Sequence, residues 1–315
     1  MHTLKPIPEC EKLEFKEKFV HRYSQLTDWE TYKRYSCSFL RKSIRVNTLK
    51  ISIPDLKKRL EKDWVLEQIP WCSEGFWIKH KNDRLDVGNT VEHLLGYYYV
   101  QEAASMIPPI VLSPQPGDIV LDMCSAPGSK ASQMAQYMNN EGVLVCNDVK
   151  GMRLAALGIN LQRMGVSNSI ITLMKGEGIK DVKFDKILLD APCSGTGTIR
   201  KSIKTIDIWN PEMVKRLASV QKRLITVAFN LLKDGGSLVY STCSTEPQED
   251  EAVIDFLLKT QPNARINDIN LPIERKLAIA EFEGETYHPE VKKCLRLWPQ
   301  DNDTEGFFVA LIKKV

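Results

Sequence analysis

The sequence has no apolar stretch approaching the roughly 18–20 residues of a membrane-spanning helix. Its first residues, Met1-His-Thr-Leu-Lys-Pro6, lack the basic-then-apolar order of a secretory signal. A cytoplasmic protein with no membrane attachment is the expectation. The eight cysteines (10, 37, 72, 124, 146, 193, 243 and 294) include no C-x-x-C pair, which argues against a bound metal and against a secreted disulfide framework. Reduced thiols are expected instead. The five histidines (2, 21, 80, 93 and 288) all fall outside the strand-ending loops discussed below, so a cysteine or serine hydrolase would lack its base. Neither G-x-G-x-x-G nor the P-loop pattern occurs, which argues against a dinucleotide or ATP phosphate site. Internal repeats and low-complexity tracts are also missing.

Net charge is only +3, but it is unevenly spread. Residues 1–62 hold 15 Lys and Arg against 8 Asp and Glu, a local +7, which leaves −4 for the remainder. A basic end on a mildly acidic body suits an anionic partner, nucleic acid first; a solvated charged face gives the same count. Residues 9–35 read as one or two amphipathic helices with Leu13, Phe15, Phe19, Val20 and Tyr23 as the apolar stripe. Alternation in Arg41–Lys50 predicts a short strand, and Ser52-Ile-Pro-Asp55 caps a helix running to Lys62. Residues 64–87 read as short strands gathering Trp64, Trp71, Phe76 and Trp77 into a small second core, and Thr90–Val111 reads as helical. A small basic α+β domain over residues 1–90 and a larger domain over 91–315 are the expected division.

From residue 118 strands alternate with helices: strands at 118–123, 143–147, 169–174, 184–190 and 236–241, helices near 129–139, 150–164, 211–232 and 248–260. Such alternation predicts a mostly parallel, doubly wound sheet. Residues 293–298 and 306–312 suit an antiparallel edge pair, and 264–292 read as irregular.

In sheets of this kind ligands bind beyond the carboxyl ends of the strands. Three loops there carry chemistry. Cys124-Ser-Ala-Pro-Gly-Ser-Lys130 has small residues (Ser125, Ala126, Gly128) that let backbone N–H groups approach a ligand. Asp190-Ala-Pro-Cys-Ser-Gly195 and Ser241-Thr-Cys-Ser244 each place a cysteine, Cys193 and Cys243, just past a strand. Buried structural cysteines usually sit inside elements, so two thiols in strand-end loops point to reactivity. Cys124 reads as a small packing residue under its loop. Asp148, ending the strand Val143–Asn147, either holds two ribose hydroxyls or caps the following helix.

The motifs Asp122-Met-Cys-Ser-Ala-Pro-Gly-Ser-Lys130, Asp190-Ala-Pro-Cys-Ser-Gly195 and Ser241-Thr-Cys-Ser244 resemble those of the Sun family of RNA (cytosine-5)-methyltransferases, archaeal and bacterial enzymes acting on tRNA or rRNA. Arg45-Val-Asn-Thr48, Tyr99-Val-Gln-Glu102, Asn160-Leu-Gln-Arg163 and Glu305-Gly-Phe-Phe308 agree, so the resemblance runs from about residue 41 to the end. It implies a Rossmann-like class I methyltransferase sheet, mostly parallel with an antiparallel edge strand, beside a small α+β RNA-binding domain. It implies S-adenosylmethionine held by Cys124, Ser125, Ala126, Pro127, Gly128, Ser129, Lys130, Asp148, Arg153 and Asp190. Cys243 would attack cytosine C6, Cys193 would help release the product, Asp190 would face N3 and N4, and Lys130 would contact the base or the Cys243 thiolate. One departure is Leu173-Met-Lys-Gly-Glu177, where the family often has an Asp near the adenine and this chain has Lys175, with Glu177 close by.

Because C6 is inaccessible in a stacked duplex, the target must be single-stranded or flipped. Arg45 and Asn47 in the basic segment, and Arg200 and Lys201 in the loop after Cys193, are the expected RNA contacts. The expected partner is thus RNA, tRNA before rRNA, with no metal, no membrane and a monomeric chain. Two competing readings are a DNA cytosine-5 methyltransferase using Cys193 as nucleophile and an inactive RNA-binding module.

Overall fold

The structure is a computed structural model describing residues 4–8, 10 and 13–315. It opens with α1 (Glu17–Leu26) and α2 (Trp29–Ser36), the latter capped by the Asp28 carboxylate, which accepts from Thr31 N. The expected amphipathic segment is therefore two helices; its expected start at residue 9 lies outside the described residues. Phe19, Tyr23 and Tyr32 from these helices are buried against Ile199, Trp209 and Trp298, so the leading segment packs on the large domain.

A small antiparallel sheet follows, in the order β2-β3-β1-β4, from β1 (Ser43–Val46), β2 (Trp64–Gln68), β3 (Gly75–His80) and β4 (Tyr98–Val100). Helix α3 (Ile53–Leu60), N-capped by Ser52, lays Leu56 and Leu60 on Ile44, Trp64, Phe76 and Tyr98. Residues 90–111 are not wholly helical as expected: they form a one-turn helix α4 (Val91–Leu94), then β4, then α5 (Ile107–Leu112). Tyr98-Tyr-Val100 suits a strand, and pairing with β1 (Ile44 opposite Val100) decides the matter, carrying the small sheet past residue 90. Trp71 and Trp77 also leave the small core. They meet edge to face at 5.7 Å inside the core of the large domain, where Trp71 Nε1 donates to Ala103 O at 3.0 Å.

The large domain holds five parallel strands in the order β7-β6-β5-β8-β9: β5 (Ile119–Asp122), β6 (Val143–Asp148), β7 (Ser169–Leu173), β8 (Phe184–Asp190) and β9 (Leu232–Thr242). Helices α6 (Ser129–Tyr137) and α7 (Gly151–Met164) lie on the face with α5; α8 (Lys204–Ile208) precedes α9 (Pro211–Leu231), which shares the opposite face with α10 (Glu251–Thr260). Alternation explains the two faces: Val120 and Leu188 point into one core, Leu121 and Leu189 into the other.

Residues 264–292 are less irregular than expected. Ala264 and Ile266 alternate inward in β10 (Ala264–Asn267), too short a pattern to stand out, and a hairpin joins β11 (Glu281–Phe282) to β12 (Glu285–Thr286). β13 (Leu295–Leu297) does pair antiparallel with β14 (Phe307–Lys314). β14 also runs antiparallel to β9, and β10 and β13 share its other side.

Three of the four expected RNA contacts are instead internal ties. Arg45 is fully buried and donates to Gln101 Oε1 at 2.8 Å, Gln136 Oε1 at 2.7 Å and Ser132 Oγ at 2.8 Å. Asn47 Nδ2 donates to the carbonyls of Gly96 and Met164 at 2.8 and 2.7 Å. Arg200 donates to the carbonyls of Ser38, Phe39 and Thr304 and pairs with Asp303. Buried donors already engaged by protein acceptors have nothing to offer a phosphate, so the RNA role expected of Arg45, Asn47 and Arg200 is corrected; Lys201 is exposed. Arg45→Ala should lower the unfolding free energy by about 3 kcal/mol, because Gln101, Gln136 and Ser132 lose a charged donor. Denaturant unfolding measures this; a loss of RNA affinity with unchanged stability would contradict it.

Candidate active site

β8 and β9 lie in register at their ends, with Asp190 opposite Ser241, and β5 ends on the other side of β8. The chain leaves β9 directly into Cys243 and leaves β8 through Ala191 and Pro192 into Cys193. The two sulfurs stand 3.4 Å apart. The strap after Cys193 is stitched to both neighbours: Gly197 N donates to Cys243 O at 3.0 Å, and Gly306 N donates to Gly197 O at 2.9 Å. A β-carbon on Gly197 would come within 2.1 Å of Gly306 O and 2.8 Å of Cys243 O, so only glycine fits this crossing.

Asp190 accepts at both oxygens, from Ser241 Oγ at 2.8 Å and from Lys130 Nζ at 2.7 Å. Lys130 sits in the first turn of α6, nearly buried, with its ammonium 5.5 Å from the centre of the Phe307 ring. Burial pulls its pKa down, but the Asp190 carboxylate more than offsets this and holds it above the ordinary lysine value. The Cys193 thiol is pushed well above its ordinary range, first by its hydrogen bond with Cys243 and then by burial. An S–H on Cys193 is therefore available to donate onto the Cys243 sulfur. Cys124 is partly covered, and burial raises its thiol far above neutrality, in keeping with a packing role.

The loop over residues 124–130 is held from outside. Ser125 N donates to Asn147 O at 2.7 Å, Asn160 Nδ2 to Pro127 O at 2.9 Å, and Arg153 Nη2 to Ala126 O. Gly128 has φ +100°, and a β-carbon there would meet Leu157 Cδ1 at 2.9 Å. Asp148 accepts from Lys150 N at 2.9 Å as α7 begins and pairs with Arg153 Nη1 at 3.1 Å. Glu177 pairs with Arg223 of α9 at 3.7 Å.

Reading the motifs did not single out Asp122. It is buried, and neither of its carboxylate oxygens nor the neighbouring Ser125 Oγ has a partner in hydrogen-bonding geometry, although Ser125 and the Cys124 N–H lie near enough to offset part of the burial. Burial, then the charge of Asp190, pushes Asp122 up to about 7. Buried acceptors without a well-placed partner fit a ligand bearing an amine or hydroxyls. The available signal was position, since Asp122, Asp148 and Asp190 all terminate strands.

Fold and site together define a Rossmann-like class I methyltransferase. A methyltransferase homologue of known structure from Pyrococcus horikoshii superposes with a TM-score of 0.87 at 38% identity, covering 98% of this chain and all of that one. NSun6 from Pyrococcus horikoshii, solved with SFG, shares the fold at a TM-score of 0.82 and 22% identity, covering 96% of this chain and 98% of its own. The family described as 16S rRNA methyltransferase RsmB/F matches residues 109–313, and the N-terminal domain of 16S rRNA methyltransferase RsmF matches 15–103. The chain belongs to the RsmB/F methyltransferase family. It is 46% identical over 309 residues to a tRNA (cytosine(49)-C(5))-methyltransferase of Pyrococcus abyssi, covering 96% of this chain and 98% of that protein. It is 45% identical over 295 residues to ribosomal RNA small subunit methyltransferase F of Shewanella piezotolerans, covering 91% of this chain but only 60% of that protein.

Because folded Asp122 holds its proton to about pH 7, against an ordinary 3.8, the native state binds this proton more tightly than the unfolded chain does. Its ionisation therefore costs stability progressively as pH rises from about 4 to about 7. Asp122→Asn removes that cost and should raise the Tm of the ligand-free protein at pH 8, with little change at pH 4. An equal shift at both pH values would contradict the assignment.

Proposed function

We propose that this chain is an S-adenosylmethionine-dependent RNA (cytosine-5)-methyltransferase acting on tRNA, with Cys243 as the nucleophile. The observation that carries the site assignment is the pair of thiols 3.4 Å apart beside the Asp190–Lys130 pair. Cytosine C5 is a weak nucleophile until a group adds at C6. A Cys243 thiolate bonding to C6 turns C5 into an enamine-like carbon able to take a methyl group. Asp190 accepts from the cytosine N4 amino group and is proposed to hand on to N3 the proton that the Cys243 thiol gives up on attack. Release requires loss of the C5 proton and departure of the Cys243 sulfur, which restores the C5–C6 double bond. Cys193 is proposed to assist both events, passing its S–H proton to the departing Cys243 sulfur and taking up the C5 proton in its place.

Bound S-adenosylmethionine would supply an electrophilic methyl on a sulfonium. Residues 124–130, Asp148, Arg153 and Asp190 are the side proposed to hold it. The orphaned acceptors of Asp122 and Ser125 Oγ fit its amine and hydroxyl donors. Cys243, Cys193, Asp190 and Lys130 all come from one copy, so a monomer suffices. No helix among the described residues is long and apolar enough to cross a membrane, and we place the enzyme in the cytoplasm with its RNA.

The small domain, through Val100, is proposed to dock the RNA by its exposed basic face rather than by Arg45 or Asn47. Lys58, Arg59 and Lys62 lie open beside Tyr97, and Lys201 lies open on the strap after Cys193. A tRNA substrate is favoured over rRNA by the 46% identity over 309 residues to the Pyrococcus abyssi tRNA enzyme. Labelled methyl transfer to tRNA and 16S rRNA from cells lacking this enzyme tests the substrate: tRNA should be labelled at cytosine C5. Exclusive labelling of rRNA would reverse the choice, and labelling of neither would remove the reading. Cys243→Ala should reduce transfer by at least about 10³-fold, whereas Cys193→Ala should accumulate an RNA–protein adduct on denaturing gels. Adduct formation by Cys243→Ala but not by Cys193→Ala would instead support attack by Cys193.

A further inference from the structure

The residue following each reactive cysteine leads to one buried carboxylate. Ser194 N donates to Glu249 Oε1 at 2.9 Å, and Ser194 Oγ donates to Glu249 Oε2. Ser244 Oγ donates to the same Oε2 at 2.6 Å, and the two serine hydroxyls are 3.2 Å apart. Gln221, reaching from α9, donates to Glu249 Oε1 at 3.1 Å and to Pro192 O at 2.9 Å. From β9, Tyr240 OH donates to the Glu249 carbonyl at 2.5 Å. Glu249 is fully buried, and nothing in the methylation chemistry uses it directly.

We propose that Glu249 is a positioning residue: its carboxylate cross-braces the Cys193 and Cys243 loops and thereby fixes the separation of the two sulfurs. Four donors converge on one acceptor group, two of them from the Cys193 loop and one from the Cys243 loop. Their geometry favours a carboxylate: a glutamine would either turn an N–H donor toward Ser194 N or force both serine hydroxyls to reverse and accept. A second consequence is electrostatic. The hydrogen bond with Cys243 and burial are the main causes that disfavour thiolate at Cys193, and the Glu249 charge behind it adds to them. Glu249 itself is pushed up to about 7 by burial, with Glu246 adding to the rise, so the charge is present above that pH and absent below it. The other ionisable groups around it are Asp250, Tyr240 and Cys193.

The inference rests on Cys193 and Cys243 being the reactive pair, and the first arm of its test needs no RNA. Iodoacetamide labelling of the full-length protein, followed by peptide mass spectrometry, reads each cysteine separately across pH 6–9. In Glu249→Gln the labelling profile of Cys193 should move to lower pH. The preference for Cys243 over Cys193 should narrow several-fold, above pH 7 only. In parallel kcat should fall by about 10²-fold with little change in the KM for S-adenosylmethionine, as expected when reacting groups are misplaced but donor binding is not. Glu249→Asp should recover the labelling profile more than the rate. Unchanged selectivity and kcat in a folded Glu249→Gln protein overturn the proposal. If that variant fails to fold, Ser194→Ala and Ser244→Ala each remove one strut. Both should lower kcat with donor binding intact, and wild-type kcat in both would overturn the brace equally. Failure of the methyltransferase reading itself would show separately, as an unmodified enzyme that transfers no methyl.

Discussion

Two neighbouring parallel strands, β8 and β9, end level with one another, and that register is what brings two sulfurs within contact distance. Asp190 opposite Ser241 leaves Cys243 immediately beyond one strand and Cys193 three residues beyond the other. Sliding either strand by one residue would turn one thiol toward the opposite face of the sheet. Both cores guard against this, because Leu188 and Val239 are locked into one face and Leu189 and Tyr240 into the other. The crossing of Gly197 over Cys243 O and Gly306 O then holds the strap that carries Cys193.

Around this contact the protein surrounds its reactive groups with buried charge whose partners are supplied locally. Arg296 is enclosed between Asp250 and Glu251, at 3.0 and 2.5 Å, and donates to Thr245 O just past the Cys243 loop. Tyr23 from α1 reaches Thr245 Oγ1 at 2.9 Å, so the segment that carries no recognisable motif still buttresses the site. Arg45 and Asn47 bolt the small domain to α6 and α7 from the other side. Such fully engaged buried polar groups fix a unique arrangement, and removing one partner is costly because the other stays buried.

The parallel sheet, its strand-end loops and the pair of reactive cysteines were legible because strand-helix alternation and loop position are local properties of a sequence. Polar side chains were misleading at three positions. Arg45, Asn47 and Arg200 sit in basic or loop segments, and nothing local says that carbonyls distant in sequence will surround them. Trp71 and Trp77 misled for the same reason: aromatic content predicts burial but not which core receives it. Tyr98–Val100 is strand by virtue of a partner some fifty residues earlier, a contact that no window of local pattern contains. Asp122 and Glu249 escaped notice because a carboxylate acquires its role from burial and from the donors that converge on it, and both depend on the finished fold.

The central claim is that the Cys243 sulfur, and not that of Cys193, bonds to the pyrimidine. The most direct measurement replaces the target cytosine with 5-fluorocytosine, which has no C5 proton to lose, so the methylated adduct cannot be released. Peptide mass spectrometry of the trapped complex should find the methylated fluoropyrimidine on the peptide containing Cys243, with Cys193 unmodified. Its appearance on Cys193 would contradict the account.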